Sequence, residues 1–491
     1  MTGGIGQPDR AVVTAMASPH DCLDRSRRMH GSAACAQHLR RTRSTNVMRR
    51  LRCGFAGLAL TVASGAALAL APGEDGVRVT IPVSGTYDAA QAVVVGPGSY
   101  FVLAGSAGGS DTALVRLAPN GGLDSSFGSG GIAINDLSPG LADGLRALVR
   151  TNDGHYVACG TFFSPGTATD FLAARFNSAG SLDTTFNGGG YAVTSFLQSG
   201  PGGSLFDQCN AVAIQADGKI VSAGFTAENG PNQVALTRHT ADGTLDAGFG
   251  SGGKVVINAS ATSNGSSEAR ALVIQPDGKL LVAGYAFGPG NSEFLVMRLN
   301  ADGTPDAGFG TAGITRTPVG TGEDIANAMV LQPDGRIVLA GSVYISGHRD
   351  FALARYTTAG VLDPGFGSGG LVTTPVGPSD DIAYALILMP WGRLVAAGSA
   401  RVSTSAPGYD LALVAYNADG TLDHYFGDAG KRMVDVSAFD DIVYGLASDI
   451  GGERFWAVGT AAPGNTAQDF LAVEFGLPDT IFRDGFEMPV P

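Results

Sequence analysis

Charged side chains are scarce in this chain of 491 residues, at 15% against the usual quarter or so. Lysine and arginine together number 31 and aspartate and glutamate 44, so the formal charge is −13. Binding to phosphate backbones needs a basic stripe, so the acidic balance excludes nucleic acid as an expected partner. Histidine is limited to 7 residues, and those beyond residue 71 lie far apart, without metal-ligand spacing.

Hydrophobic runs long enough to span a bilayer are also missing. The apolar stretch Phe55–Leu70 falls short of the ~20 residues that a membrane-spanning helix needs. No window follows the helical period, and no strict Gly-X-Y period indicates collagen. The 73 glycines and 24 prolines stay below the low-complexity level, and the hydrophobic content of 44% is ample for a core. We therefore expect a folded chain built from strands.

The first 71 residues differ from the rest because they hold ten arginines and only three acids. Residues 48–71 have the order of a secretory signal peptide: three arginines, the apolar run, and then small residues for cleavage. We expect residues 1–47 to be a non-native segment upstream of a true start at Met48, or else an extended leader. The mature chain is predicted to be secreted, periplasmic or bound at the cell surface, with no membrane span after signal cleavage.

Two motifs recur through residues 72–475. The first is Leu-Asp-x-x-Phe-Gly, with aspartates at Asp124, Asp183, Asp246, Asp306, Asp363 and Asp423. The second is an apolar strand, a tight turn and another strand that closes on glycine, at Gly105, Gly160, Gly224, Gly284, Gly341, Gly398 and Gly459. Each unit reads as four short antiparallel strands. Radial repetition of such units predicts an all-β, seven-bladed β-propeller.

The two ends of the repeat region are complementary. The seventh unit stops at 470–475 without a fourth strand, and residues 76–82 match fourth-strand segments such as 253–258. An N-terminal strand is therefore predicted to complete the last blade and close the ring, which removes exposed strand edges. An open β-solenoid is the alternative. Residues 476–491 leave the repeat as a C-terminal tail, for sorting or docking, or as an ordered flap.

The recurring strings Asp-Gly-Lys-Ile-Val-x-Ala-Gly and Leu-Asp-x-x-Phe-Gly resemble the delta-60 repeats of secreted and surface bacterial proteins. The resemblance covers roughly residues 77–475 and implies a propeller-like β fold. It implies little about activity.

Ion pairs are predicted within the repeat, because an arginine precedes the motif aspartate by eight residues in five units. Such a pair would orient the long loop through charge-assisted hydrogen bonds. The sixth unit has Ala415 and the seventh Glu474 at the arginine position, so the pairing is expected to lapse near the closure.

A second set of acids opens the first strand of six units: Asp88, Asp143, Asp207, Asp324, Asp381 and Asp441. Ser267 takes the seventh place, with Glu268 beside it. If these strands are innermost, the carboxylates circle one mouth of the axial channel. They would then bind a cation or a basic or polyhydroxylated ligand. The alternative is that each aspartate caps its own turn.

The loops 300–306 and 417–423 are rich in oxygen ligands, which makes calcium a candidate cofactor. The alternative is that each loop is a hairpin turn with a structural aspartate. Beyond the leader, only Cys159 and Cys209 remain. They fall at neighbouring strand ends of adjacent units, which allows a disulfide or two buried thiols.

No catalytic set is visible in the sequence. We expect an exported, non-enzymatic repeat protein that presents its loops to a surface, glycan or protein ligand. The alternative is a propeller hydrolase or lyase acting on a glycan or lactone at the channel mouth. An enzyme would have to break the repeat symmetry with a cluster of unlike polar residues at one mouth.

Overall fold

The structure is a computed structural model. It describes residues 77–164, 168–196, 206–227, 230–401, 408–449, 454–464 and 467–476. The predicted leader, the signal peptide at 48–71 and the tail beyond Gly476 lie outside the described residues. Within those ranges, no helix is long and apolar enough to cross a membrane.

Seven four-stranded antiparallel sheets form the blades of a propeller, as predicted. Blade 1 comprises β2 (Ala89–Val95), β3 (Phe101–Ala107), β4 (Asp111–Leu117) and β5 (Ile132–Asn135). Blade 2 comprises β6 (Asp143–Arg150), β7 (Tyr156–Ser164), β8 (Ala168–Phe176) and β9 (Tyr191–Thr194). Blade 3 comprises β10 (Asp207–Ile214), β11 (Ile220–Thr226), β12 (Gln233–His239) and β13 (Lys254–Ile257). Blades 4 and 5 comprise β14 (Ser267–Ile274), β15 (Leu280–Phe287), β16 (Ser292–Leu299) and β17 (Ile314–Thr317); and β18 (Asp324–Leu331), β19 (Ile337–Ile345), β20 (His348–Tyr356) and β21 (Leu371–Thr374). Blades 6 and 7 comprise β22 (Asp381–Leu388), β23 (Leu394–Ala400), β24 (Asp410–Tyr416) and β25 (Lys431–Val434); and β26 (Asp441–Ser448), β27 (Arg454–Gly464), β28 (Ala467–Gly476) and the N-terminal β1 (Arg78–Ile81).

The first strand of each blade is innermost, and these seven strands contact one another around the ring. The second and third strands are buried on both faces, as β3 and β4 illustrate. This is why their sequences read as continuous apolar runs. Seven hydrophobic cores lie between successive blades, one at each joint.

The N-terminal strand closes the ring. β1 pairs with β28 in antiparallel register, with Arg78 opposite Val473 and Ile81 opposite Phe470. Ile81 is buried in the core between blades 7 and 1, where it joins Trp456 and Phe470. The predicted closure is therefore confirmed, and the linear solenoid is excluded.

Removing β1 tests this closure. A chain that starts at Ser84 should unfold at least about 5 °C below one that starts at residue 72, because burial of Val79 and Ile81 and the ladder to β28 are lost. Circular dichroism on heating measures the midpoint. A synthetic peptide of residues 72–83 should restore part of the loss. Equal midpoints for the two chains would show that β1 does not hold the ring closed.

The Leu-Asp-x-x-Phe-Gly loop joins each blade to the next. In blade 5, Arg355 Nε bonds Asp363 at 2.8 Å and Arg355 Nη1 donates to Ala418 O of blade 6 at 2.5 Å. The guanidinium also lies 4.6 Å from the centroid of the Phe366 ring. The other four predicted pairs have Nε–Oδ2 distances of 2.7–2.8 Å: Arg116–Asp124, Arg175–Asp183, Arg238–Asp246 and Arg298–Asp306.

The pair made by the third-strand arginine is missing from blades 6 and 7, as expected from Ala415 and Glu474, but each of these blades keeps an ion pair made by an arginine of its inner hairpin. In blade 6, Arg393 of the β22–β23 turn bonds Asp423 at 2.8 Å. In blade 7, Arg454 bonds Glu474 at 2.8 Å. In blades 3 to 5 the motif aspartate is also bonded from the inner hairpin, by Lys219, Lys279 and Arg336. Arg393 is the equivalent of these residues, so Asp423 keeps one of the two cations that the other aspartates have.

The phenylalanine of this loop lies beneath a glycine of the next blade. A Cβ built on Gly360, whose φ is +79°, would sit 2.7 Å from the Phe309 ring. Glycine is needed there both for its left-handed backbone and for the close approach.

Gly360→Ala should therefore destabilise more than Gly369→Ala. Gly369 also has a positive φ, of +64°, but a Cβ there meets nothing within 4 Å. We expect the control to cost about 1–2 kcal/mol for its backbone and Gly360→Ala about 1–3 kcal/mol more for overpacking. Urea unfolding measures both. Equal costs would contradict the proposed contact with Phe309.

Candidate functional site at the channel mouth

The six predicted aspartates are buried, and each caps the turn before its strand. Asp88 Oδ2 accepts the backbone N–H groups of Val83 and Ser84 at 2.8 and 2.7 Å. Equivalent bonds reach Asp143, Asp207, Asp324, Asp381 and Asp441 from the preceding turns. At the seventh place, Ser267 Oγ accepts from Ala259 N at 3.2 Å. This geometry is that of the turn-capping alternative, and it fixes where the inner strands begin at the mouth.

Each capping aspartate also neighbours an acid of the preceding blade. Four pairs interact electrostatically: Glu293 with Asp324, Asp350 with Asp381, Asp410 with Asp441, and Asp469 with Asp88. In the other two, the backbones beside Asp111 and Asp170 contact those at Asp143 and beside Asp207. Between blades 3 and 4, these two positions are occupied by Gln233 and Ser267. This pair of blades therefore has neither acid. Sequence inspection within one unit missed these pairs because the partners belong to different units.

Burial raises the pKa of several of these carboxyls, and neighbouring negative charges add to the effect in some of them. Burial raises the pKa of Asp410 to about 6, and the charges of Asp435 and Asp441 add to the effect. Burial likewise raises the pKa of Asp381 to about 6, with Asp350 contributing. The carboxylate oxygens of Asp410, Asp435 and Asp441 lie within 4.8 Å of one another, close enough for strong repulsion when all are ionised.

Asp410→Asn should therefore stabilise the protein at neutral pH. A carboxyl whose pKa is higher in the folded than in the unfolded chain loses stability as pH rises from 3.8 to about 6. We expect a gain of about 1–3 °C in midpoint at pH 7.5 and none at pH 4. His239, whose pKa burial lowers to about 4, opposes this trend in both proteins, so the difference between variant and wild type is measured. Exposed Asp428→Asn is the control, and an equal gain there would contradict the account.

The side chains that line the channel come from a β-bulge in each inner strand. The ladder to the second strand skips one residue, for example between Ala326 and Ala328. The closing glycine of the second strand makes this necessary, because a Cβ on Gly341 would sit 1.9 Å from Ile325 O. The seven skipped residues are Gln91, Arg146, Asn210, Arg270, Asn327, Tyr384 and Tyr444. We call them the bulge ring.

The members of the bulge ring meet one another around and across the channel. Asn210 Nδ2 donates to Ala269 O of the next blade at 2.8 Å, and Asn327 Nδ2 donates to Ala383 O at 2.9 Å. The rings of Tyr384 and Tyr444 have centroids 5.1 Å apart. Arg146 of blade 2 is close enough to interact electrostatically with Arg270 and Tyr444. Blades 4 and 7 do not adjoin blade 2, so these interactions cross the channel.

Arg270 is held in place from behind. Its Nη2 bonds Glu268 Oε2 at 2.8 Å, and Glu268 Oε1 accepts from Tyr285 Oη at 2.7 Å and from Asn232 Nδ2 at 2.6 Å. Glu268 is buried. Blade 4, which lacks the capping aspartate, thus uses its strand start to orient a guanidinium at the mouth.

Arg146 has no such support. Across the described part of the chain, no carboxylate or other hydrogen-bond acceptor contacts its guanidinium, which is exposed to the channel. Partial desolvation by the surrounding strands lowers its pKa, and the positive charge of Arg270 lowers it further. Glu268 also acts on Arg146, so the two guanidinium groups share one carboxylate and keep a net positive charge that favours an anion between them.

A cavity adjoins Arg146 between blades 1 and 2. Its volume is about 230 Å³. Gln91, Ser106, Asp143, Thr161, Thr169 and Phe163 line it beside the guanidinium. Its polar lining thus consists of hydroxyl groups, one amide and the buried carboxyl of Asp143, which accepts hydrogen bonds from Ser138 and whose pKa is raised by burial.

The tyrosines of the mouth are donors and not bases. Burial raises the pKa of Tyr384 to about 12 and also raises the pKa of Tyr444 and Tyr285. A general base works best with a pKa near the operating pH. These phenols stay protonated at neutral pH and can donate hydrogen bonds.

The loops that could hold calcium are turns in which one oxygen of an aspartate accepts hydrogen bonds from a threonine of the same loop. Asp302 Oδ1 accepts from the N–H and hydroxyl of Thr304 at 2.9 and 2.7 Å, and Asp306 is held by Arg298 and Lys279. Asp419 and Thr421 repeat the first arrangement.

The two tryptophans differ in exposure: Trp456 is buried, whereas Trp391 is 81% exposed on the opposite face.

The two cysteines beyond the leader form a disulfide. Cys159 ends the buried part of β7 in blade 2, and Cys209 lies in β10 of blade 3, with Cα atoms 5.8 Å apart. The bond links adjacent blades within the core at that joint.

Sequence inspection missed the bulge ring because its residues do not repeat. They occupy the position just before the small residue that does repeat, Ala92 to Ala385 and Gly445. The signal available in the sequence was variability: the residue at this inner position changes between units, whereas the next residue is small in every unit.

Comparison with known proteins gives the kind of repeat. Residues 93–127, 151–186, 215–249, 275–309, 332–366 and 392–426 match the family model described as a domain of unknown function (DUF5122) beta-propeller. The chain thus carries propeller repeats. No curated protein matches it.

Solved structures with similar folds are distant. A protein of unknown function from Dyadobacter fermentans DSM 18053 is 12% identical with a TM-score of 0.41, over 82% of this chain and 98% of that one. Sqt1 from Chaetomium thermophilum is 14% identical with a TM-score of 0.38, over 76% and 80%. The polysaccharide lyase Uly1 is 10% identical with a TM-score of 0.43, over 79% and 90%. These likenesses are too weak to bear on function.

Proposed function

We propose that the protein is an exported, non-enzymatic propeller that binds an anionic ligand at the mouth of its channel. The observation that carries the proposal is the pair Arg146 and Arg270. Arg270 is held by Glu268. Arg146 faces it across the channel, has no hydrogen bond to a carboxylate among the described residues, and shares the charge of that same Glu268. An anion placed between them would gain two charge-assisted contacts.

The breaking of repeat symmetry supports a specific ligand over a purely structural channel. The capping acids and the motif aspartates repeat from blade to blade, whereas the bulge ring has four residue types in seven places. A ring that only filled space would need no such variety. Its polar members and the adjoining cavity instead offer different donors to different parts of one ligand.

The alternative, a hydrolase or lyase at the same mouth, has less support. The unlike polar residues that an enzyme requires are present. However, the raised pKa of Tyr384, Tyr444 and Tyr285 removes the phenols as bases at neutral pH. Glu268 is buried, with its oxygens taken by Arg270, Tyr285 and Asn232. The geometry favours binding.

The proposal that the protein is exported rests on the signal-like residues 48–71. An inter-blade disulfide is in keeping with an oxidising compartment. The ligand is then met outside the cytoplasm.

Arg146→Gln should weaken anion binding. Isothermal titration calorimetry with tricarballylate, a small hydroxyl-free tricarboxylate, should give at least about a tenfold loss of affinity, as expected for one charge-assisted contact. Binding to the wild type should also weaken as salt rises.

Arg336→Gln is the matched control. Arg336 is on the opposite face and bonds Asp363, which Arg355 also holds, so its loss should leave binding unchanged. An equal loss in both variants, or no binding of any anion by the wild type, would refute the proposal. Turnover of an acidic glycan by the wild type would instead favour the enzyme.

A further inference from the structure

We propose that the anionic ligand is an acidic saccharide, whose sugar ring packs on Tyr384 and Tyr444 while its carboxylate or sulfate group meets Arg146 and Arg270. This inference rests on the proposed function and names the class of ligand for the same site.

The first argument is the aromatic pair. Tyr384 and Tyr444 are the two aromatic members of the bulge ring, on the adjacent blades 6 and 7, with ring planes at 55°. Both are half-buried, so each keeps part of its surface open to the channel. An aromatic face that is partly open packs against the apolar C–H face of a sugar, and its hydroxyl remains free to bond.

The second argument is the arrangement of cations opposite that pair. Arg146 and Arg270 belong to blades 2 and 4, across the channel from blades 6 and 7. Tyr444 interacts electrostatically with Arg146, and Tyr384 with Arg270, so one ligand can touch both walls. A ligand that fits must carry an apolar face on one side and an anionic group on the other. A uronic acid or a sulfated sugar has this form.

The third argument is the cavity beside Arg146. Its hydroxyl groups from Ser106, Thr161 and Thr169, the amide of Gln91 and the carboxyl of Asp143 suit a ligand rich in hydroxyls. Phe163 supplies one more aromatic surface. The volume of about 230 Å³ takes a small unit such as one sugar ring. The saccharide would therefore extend from the channel into this cavity with a second ring.

Three probes separate this inference from the proposed function: a trimer of α-1,4-linked galacturonic acid, the neutral maltotriose and tricarballylate. Calorimetry with the full-length mature chain should show the acidic trimer binding at least about tenfold tighter than tricarballylate, and maltotriose more weakly than either. A sulfated disaccharide in place of the trimer distinguishes sulfate from carboxylate as the preferred group.

Variants assign the contacts. Tyr384→Ala and Tyr444→Ala should each weaken the acidic trimer about tenfold and leave tricarballylate within twofold, whereas Arg146→Gln weakens both. Tyr384→Phe keeps the ring and should stay close to the wild type, which guards against a general packing defect. Tyr425→Ala, at an exposed tyrosine on the opposite face, is the matched control and should change nothing.

Tricarballylate binding that depends on Arg146, combined with an acidic trimer that binds no tighter, would overturn the saccharide inference and leave the proposed function standing. Failure of every anion would overturn both. Equal losses of trimer and tricarballylate binding in Tyr384→Ala would also contradict the stacking role.

Discussion

The crowding of seven inner strands around one axis is the constraint on which the rest of the structure depends. Near the axis only small side chains fit between neighbouring strands. Alanine therefore recurs at this position in six blades and Gly445 in the seventh, where a Cβ would approach Val458 and Val93 at 3.1 and 3.4 Å. The closing glycine of each second strand brings two backbones together and produces the bulge. Packing thus dictates the geometry of the bulge ring but leaves the identity of its residues free.

The two faces of the ring carry different sets of repeated residues. On one face, the arginine and phenylalanine associated with the Leu-Asp-x-x-Phe-Gly motif of blades 1 to 5 contact the following blade, so the repeated motif joins neighbouring blades. On the other face, buried aspartates hold the turns that begin the inner strands. Because the repeated acids are used in this way, the proposed function assigns ligand binding to the residues that differ between blades.

The fold could be predicted from the sequence because each unit carries its own turn glycines, strand patterns and charge pair. The blade count and closure followed from complementary fragments at 76–82 and 470–475. The candidate site could not be read in the same way. Asp88 and its equivalents were visible as a periodic set, but only the structure shows their bonds to backbone N–H groups. Arg146 and Tyr444 come together across the channel from positions far apart in the chain.

An anomalous diffraction experiment tests the central claim most directly, namely that the channel mouth is an anion site. Crystals of the mature protein soaked in selenate should show an anomalous peak between the guanidinium groups of Arg146 and Arg270. The peak should be absent from crystals of Arg146→Gln grown and soaked in the same way. Selenate peaks confined to other parts of the surface, with the mouth empty, would contradict the account.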